Sequence, residues 1–293
     1  MEPVKWTTKL AIKLMRLLMP MLAPQSTEPS SGEVREINTS AGKTRIFIFK
    51  PKAIHEEPLP VYVSMHGSGF VMMSAGFDNS YCEETASAVG CLVVNIEYKL
   101  APEYRFPVAL EECYDVVKWI SDHAQELHID KDRIAIGGHS AGGNFAAAVC
   151  LLARQRKEFT VRYQILDYPP LDLTRDPASK TRVPPGSMVI PPMMARLFDE
   201  CYIGTREAAR NPLVSPVCEK DLRGLPPALV ITAECDSLAE EAELYAKMLK
   251  DAGVEVIQKQ FAGAAHGFTS APGEQSQAAW ELMHQQLKKA FAK

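Results

Sequence analysis

Residues 133–144, Arg133-Ile134-Ala135-Ile136-Gly137-Gly138-His139-Ser140-Ala141-Gly142-Gly143-Asn144, decide how this chain is read. The apolar run Ile134-Ala135-Ile136 has the composition of a strand buried on both faces. After Gly138-His139-Ser140-Ala141-Gly142 come Ala146, Ala147, Ala148, Val149, Leu151 and Leu152, the composition of a buried helix. Strand, Gly-x-Ser-x-Gly, helix is the pattern of a nucleophile elbow. It sets the serine on a sharp turn with its Oγ in open space, and Gly138 and Gly142 remove the Cβ atoms that would collide as the backbone doubles back. The following helix turns its N-terminus, with free N–H groups and a partial positive charge, toward the serine.

Five residues with two glycines and a serine recur by chance, so the reading rests on what else the chain supplies. A serine hydroxyl needs a histidine to take its proton and a carboxylate to orient that histidine. Downstream, the run Ala228–Thr232 leads into Ala233-Glu234-Cys235-Asp236, and the next run, ending near Phe261, leads into Ala265-His266-Gly267-Phe268. Asp236 and His266 therefore each fall just past a strand, where open α/β sheets gather their functional groups. The order Ser140, Asp236, His266 is that of an elbow-type triad. Glu234 and Glu240 are rival acids, while His55, His123, His128 and His284 follow no strand. Upstream, Val61–Met65 runs into His66-Gly67-Ser68-Gly69-Phe70, a turn whose amides would stay exposed. The N–H groups of Gly67 and Ser68, with that of Ala141, are the expected oxyanion donors.

The 293 residues can bury a large core. With 46% hydrophobic and 23% charged residues the composition is globular, and a net charge of −4 gives no footprint for nucleic acid. Seven cysteines, at 82, 91, 113, 150, 201, 218 and 235, form no C-x-x-C pair and lie largely among apolar residues, which favours reduced thiols. Lys5, Lys9, Lys13 and Arg16 interrupt the N-terminal apolar residues, so a cytoplasmic protein with no export signal is expected. Membrane contact is not expected, and a homodimer is compatible with this composition.

Along the chain, Val4–Met19 reads as an amphipathic helix stopped by Pro20 and Pro24, and 25–32 as a polar linker. Strands are expected over 43–50, 60–65, 91–98, 162–166, 228–232 and 254–261, with a helix over 107–123. Alternation of this kind predicts one mostly parallel sheet with helices on both faces. The proline-rich stretch 172–217 breaks the rhythm and contains one helix-like run, Pro192–Tyr202. It is expected to form a cap, together with residues 1–24, lined by Met188, Val189, Ile190, Met193, Met194, Leu197 and Phe198. Trp6, Leu10 and Leu14 are expected to meet Met193 and Phe198 at the mouth of the pocket, with Phe70 and His139 also beside the substrate.

These motifs together resemble the hormone-sensitive-lipase-like branch of the α/β-hydrolases, the bacterial family IV esterases. His66–Phe70 is similar to its HGGG motif, Glu97–Glu111 to its Y-R-L-A-P-E-x-x-F-P-A-A-L-E segment, and Gly138–Asn144 to G-D-S-A-G-G-N. Asn211–Pro216 and Leu225–Leu238 match the approach to its acid, and His266-Gly267-Phe268 its histidine. The resemblance runs from about residue 43 to the C-terminus. It implies one capped α/β-hydrolase domain that cleaves short- to medium-chain carboxylic esters without metal or organic cofactor. Two residues depart from the pattern. Ser68 stands in place of glycine, where its hydroxyl would add a donor or its backbone would strain the hole, and His139 replaces an aspartate. An amidase or peptidase would use the same three residues, and a non-catalytic receptor on this fold would be expected to have lost one of them.

Overall fold

The computed structural model describes residues 6–22, 29, 31–53, 56–180, 190–205 and 207–292. Eight strands form one sheet: β1 (Glu33–Thr39), β2 (Gly42–Phe49), β3 (Leu59–Met65), β4 (Leu92–Glu97), β5 (Ile129–His139), β6 (Tyr163–Asp167), β7 (Ala228–Cys235) and β8 (Val256–Ala265), in the order β1-β2-β4-β3-β5-β6-β7-β8. The pairs β1/β2 and β2/β4 are antiparallel, and every pair from β4/β3 to β7/β8 is parallel. The helices are α1 (Trp6–Leu22), α2 (Asn79–Val89), α3 (Val108–Asp122), the short α4 (Ala124–Leu127), α5 (Ala141–Arg156), α6 (Pro192–Ile203), α7 (Ala239–Asp251) and α8 (Glu274–Phe291).

The strands are apolar on both faces because helices cover both. Ile46, Ile48, Val61, Val63, Val94, Ile134, Ile136, Leu166 and Val230 pack under α3, α5 and α7. The residues between them, Phe47, Phe49, Tyr62, Val93, Ala135, Ile165 and Leu229, pack under α2 and α8. Side chains that alternate between two dry faces leave a continuous apolar run in the sequence. Parallel strands joined by helices also bring the ends of β3, β5, β6, β7 and β8 to one edge, where the loops carrying the candidate functional residues follow.

Two expectations change. Strand β1 falls in a stretch to which no strand was assigned, because Glu33-Val34-Arg35-Glu36 is largely exposed at the sheet's edge and carries no buried pattern. Helix α1 continues through Pro20 to Leu22. A proline in the last turn forfeits a single backbone bond, so the helix survives it. The expected start at Val4, with Met188 and Val189 of the cap lining and His55, lies outside the described residues.

Candidate active site

Ser140 ends the step from β5 to α5 with φ +52° and ψ −123°, a conformation that L-residues adopt only under constraint. Its N–H donates to the Asp167 carbonyl at 2.8 Å, which ties the turn to the neighbouring strand. The packing explains the glycine two residues on: a Cβ at Gly142 would lie 1.8 Å from the Met65 carbonyl oxygen. Asn144, the last residue of the motif, donates through Nδ2 to the carbonyls of Pro170 (2.7 Å) and Val214 (2.9 Å). The elbow helix thereby holds both edges of the insertion that follows β6.

His266 brings the three expected residues into one line. Its Nε2 is 3.0 Å from Ser140 Oγ, and its Nδ1 is 2.7 Å from Asp236 Oδ2. Asp236 is buried and its other oxygen accepts the Leu238 N–H at 3.0 Å, so the carboxylate cannot swing. The carboxylate at Nδ1 keeps the proton on that nitrogen and leaves Nε2 as the acceptor for the serine hydroxyl. Both rival acids face elsewhere. Glu234 accepts the Gly263 N–H at 2.7 Å, and Glu240 pairs with Arg175 at 3.2 Å.

The turn after β3 settles the departure at Ser68. The left-handed conformations fall on Gly69 (φ +55°) and Phe70 (φ +67°), not on Ser68, so its Cβ creates no backbone strain. Nor is its hydroxyl free for a substrate. Tyr98 O–H donates to the His66 carbonyl (2.6 Å), and Ser68 O–H therefore donates to the Tyr98 oxygen at 2.7 Å. Ser68 Oγ also accepts the Phe70 N–H at 2.9 Å. What remains is backbone: among the described residues the N–H groups of Gly67, Ser68, Gly69 and Ala141 have no intramolecular acceptor. Gly69 is an addition to the expected set; the sequence marks it only as one more glycine. The buried His66 ring stacks on Tyr98 with centroids 4.1 Å apart, and burial pushes its pKa down to about 4, so it is neutral.

The expected substrate contacts lie in different settings. Phe70 is buried and stacks on Tyr202, centroids 3.9 Å apart, because its positive φ turns the ring into the core. Phe198 is buried against Gly69, whose absent Cβ would stand 2.5 Å from its ring. Met193 is 82% exposed in the first turn of α6. The His139 ring lies against Gly67, whose absent Cβ would stand 2.6 Å from it, and its Nε2 is 3.3 Å from Asp78 Oδ1, an ion-pair distance without the aim of a good hydrogen bond. It borders a cavity of about 160 Å³ lined also by Asp78, Tyr81, Asp167, Thr269 and Trp280, on the α2/α8 side of the sheet. Burial opposes a charge on His139, but Asp78 and Asp167 outweigh it and raise the pKa. Met194 and Leu197 are partly buried against the core.

Helix α1 docks through one face only. Ile12 is buried, and Arg16 donates to the carbonyls of Val71 (2.7 Å) and Ala101 (2.6 Å) while pairing with Glu103. Trp6, Leu10 and Leu14 are exposed, while the face bearing Ile12 and Arg16 takes the contact with the body. The helix nevertheless lies against the segment that continues from the Gly67–Gly69 turn. Among the described residues no helix is long and apolar enough to cross a membrane, and no group of three or more His, Cys, Asp or Glu could hold a metal ion.

An elbow serine, a histidine and an aspartate in hydrogen-bonded line, on the edge of a mostly parallel sheet, define an α/β-hydrolase. The chain matches the family described as alpha/beta hydrolase fold over residues 62–270 and belongs to it, in the hormone-sensitive-lipase-like branch whose motifs it carries. An arylesterase of Saccharolobus solfataricus is 32% identical over 253 residues, 86% of this chain and 82% of its own length. Among solved structures, the thermophilic carboxylesterase EstE1 from a metagenomic library superposes with a TM-score of 0.88 at 34% identity, covering 98% of both chains. A hyperthermophilic esterase from the archaeon Pyrobaculum calidifontis gives a TM-score of 0.85 at 35% identity, covering 97% of this chain and 92% of its own.

Proposed function

We propose that this protein hydrolyses carboxylic esters with short to medium acyl chains through an acyl-enzyme on Ser140. The observation that carries the reading is the line from Asp236 through His266 to Ser140, with contacts of 2.7 and 3.0 Å. Ser140 Oγ attacks the ester carbonyl carbon as His266 Nε2 takes the hydroxyl proton, and Asp236 steadies the imidazolium that forms. The carbonyl electron pair moves onto oxygen, where the amides of Gly67, Ser68 and Ala141, with Gly69 adjoining, receive it. Preorganised donors of this kind lower such barriers by roughly 3 kcal/mol each. Collapse expels the alcohol, which leaves with the proton from His266. Water then attacks the acyl carbon, yields a proton to His266, and the second collapse frees the carboxylic acid and restores the serine hydroxyl. Ester, water and these side chains account for every proton and electron pair.

In this reading residues 1–24 and about 172–217 roof the acyl site on a single hydrolase domain spanning 1–293. The partner is a small-molecule ester. A cytoplasmic setting accords with the burial of Cys82, Cys91, Cys113, Cys150 and Cys201, which burial keeps in the thiol form. The test is a panel of p-nitrophenyl esters from acetate to palmitate beside the corresponding anilide. Turnover greatest at short to medium length is expected; an anilide cleaved as fast as the esters would reassign the enzyme to amides.

A further inference from the structure

The end of β6 touches the candidate site from a side the mechanism does not use. Asp167 reaches it twice: its carbonyl accepts the Ser140 N–H at 2.8 Å, and its carboxylate Oδ2 accepts the Thr269 hydroxyl at 2.6 Å. Thr269 lies three residues beyond His266. With its own proton committed to Asp167, Thr269 Oγ accepts the Tyr168 hydroxyl at 2.7 Å. Tyr168 in turn sets its ring edge-to-face on the His266 imidazole, centroids 4.9 Å apart, and touches Phe268 at 5.9 Å.

Two consecutive residues rarely serve the same loop, because neighbours on a strand point to opposite faces. Here they do so because Tyr168 leaves the strand with φ +36°, a conformation costly for a bulky residue and kept only where the surroundings demand it. Its N–H is secured on the Ile231 carbonyl at 2.8 Å. From the outer side, the Thr269 carbonyl accepts Ser276 Oγ (2.8 Å) and Trp280 Nε1 (3.0 Å) of α8. The loop bearing His266 is thus gripped between β6 and α8.

Resting on the esterase reading above, we propose that Asp167 and Tyr168 are positioning residues, a clamp that fixes the His266 loop relative to the nucleophile turn through Thr269. The clamp needs an acceptor at 167 rather than a charge. Burial pushes the Asp167 carboxyl up to about 7, so near neutrality it is protonated part of the time, and either form offers an oxygen to Thr269.

The test combines Asp167→Ala, Asp167→Asn, Thr269→Val, Tyr168→Phe and the double variant Asp167→Ala/Thr269→Val in the full chain. Loss of the clamp leaves the reacting groups present but misaligned, so Asp167→Ala and Thr269→Val should each lower kcat about tenfold with KM within about twofold. The double variant should be no worse than Thr269→Val alone, since that substitution already removes the bond to Asp167. Asp167→Asn, which keeps an acceptor, should recover most of kcat, and Tyr168→Phe, which keeps the ring, should lose only about twofold. A second readout is independent of turnover: the low-field proton signal of His266 Nδ1–H should broaden in Asp167→Ala and Thr269→Val and stay sharp in Asp167→Asn. Additive losses, an Asp167→Asn as impaired as Asp167→Ala, or variants with normal kcat and an unbroadened signal would overturn the clamp. A wild type inactive on every ester would instead overturn the esterase reading, and the proton signal would still judge the clamp.

Discussion

The nucleophile turn and α1 lie near the same candidate site and are built on opposite terms. From Ala141 to Val149 the residues are fully buried, and the backbone passes so close to β3 that no side chain fits at Gly142. Helix α1 instead leaves Trp6 and Leu17 at least 70% exposed and holds on through Ile12 and Arg16. Where the backbone has no slack, sequence and geometry determine each other, and a substitution should act nearly all-or-none. Where apolar side chains face outward, substitutions should act by degrees.

With the nucleophile left in place, the largest effect should come from the acid within the rigid region. Asp236→Asn removes the charge and the tautomer control from His266, and should lower kcat by about 10³- to 10⁴-fold with KM changed only a few-fold. Glu234→Gln and Glu240→Gln, whose carboxylates bond elsewhere, should stay within about threefold of wild type. Steady-state kinetics on p-nitrophenyl butyrate decides this, and the reverse ranking would move the acid.

Gly142→Ala probes the lack of slack itself. The added methyl must displace the backbone at Met65, next to the oxyanion turn, so kcat/KM should fall by about 100-fold. Near-normal activity with an unchanged Tm would mean that the turn yields more than its packing indicates.

Deleting residues 1–24 tests the graded region. The body should still fold, judged by circular dichroism. Loss of kcat/KM should be small for acetate and grow with acyl length, by up to about fourfold for each methylene that α1 covers. A chain-length profile that keeps its shape would remove α1 from the roof.

The smallest effect concerns stability. Glu97 accepts the Ala75 N–H at 3.0 Å, and burial pushes its pKa from the ordinary 4.5 up to about 7. The folded protein keeps a proton there that the unfolded chain has already released, so this group's contribution to stability falls as pH rises from about 4.5 to about 7. Glu97→Gln keeps an acceptor without that penalty. By thermal melts it should raise Tm by roughly 2 °C at pH 8 and by almost nothing at pH 4. A gain larger at pH 4 would contradict the assignment.

Legibility followed the same division. The elbow, Asp236 and His266 were readable because each follows a buried strand, and buried parallel strands announce themselves as apolar runs. The polar edge strand β1 gave no such run. The pairing of His139 with Asp78 was not legible, since the partner lies 61 positions upstream in the 3₁₀ turn before α2 and a lone aspartate there looks solvated. Asp167 was hidden for the same reason: the sequence shows an acid after Ile165-Leu166, not that it is buried between the turn bearing Ser140 and the loop bearing His266. Phe70 was misread because a motif's spacing does not reveal the sign of φ.

The claim on which the rest depends is that Ser140 is the nucleophile. A fluorophosphonate, which reacts with serines activated by a neighbouring base, followed by peptide mass spectrometry, tests it most directly. One adduct per chain is expected, on the peptide bearing Ser140, with ester hydrolysis lost in step with labelling. Ser140→Ala should be folded, unlabelled and at least about 10⁴-fold slower. An adduct on another residue, or a Ser140→Ala variant that still hydrolyses esters at near the wild-type rate, would contradict it.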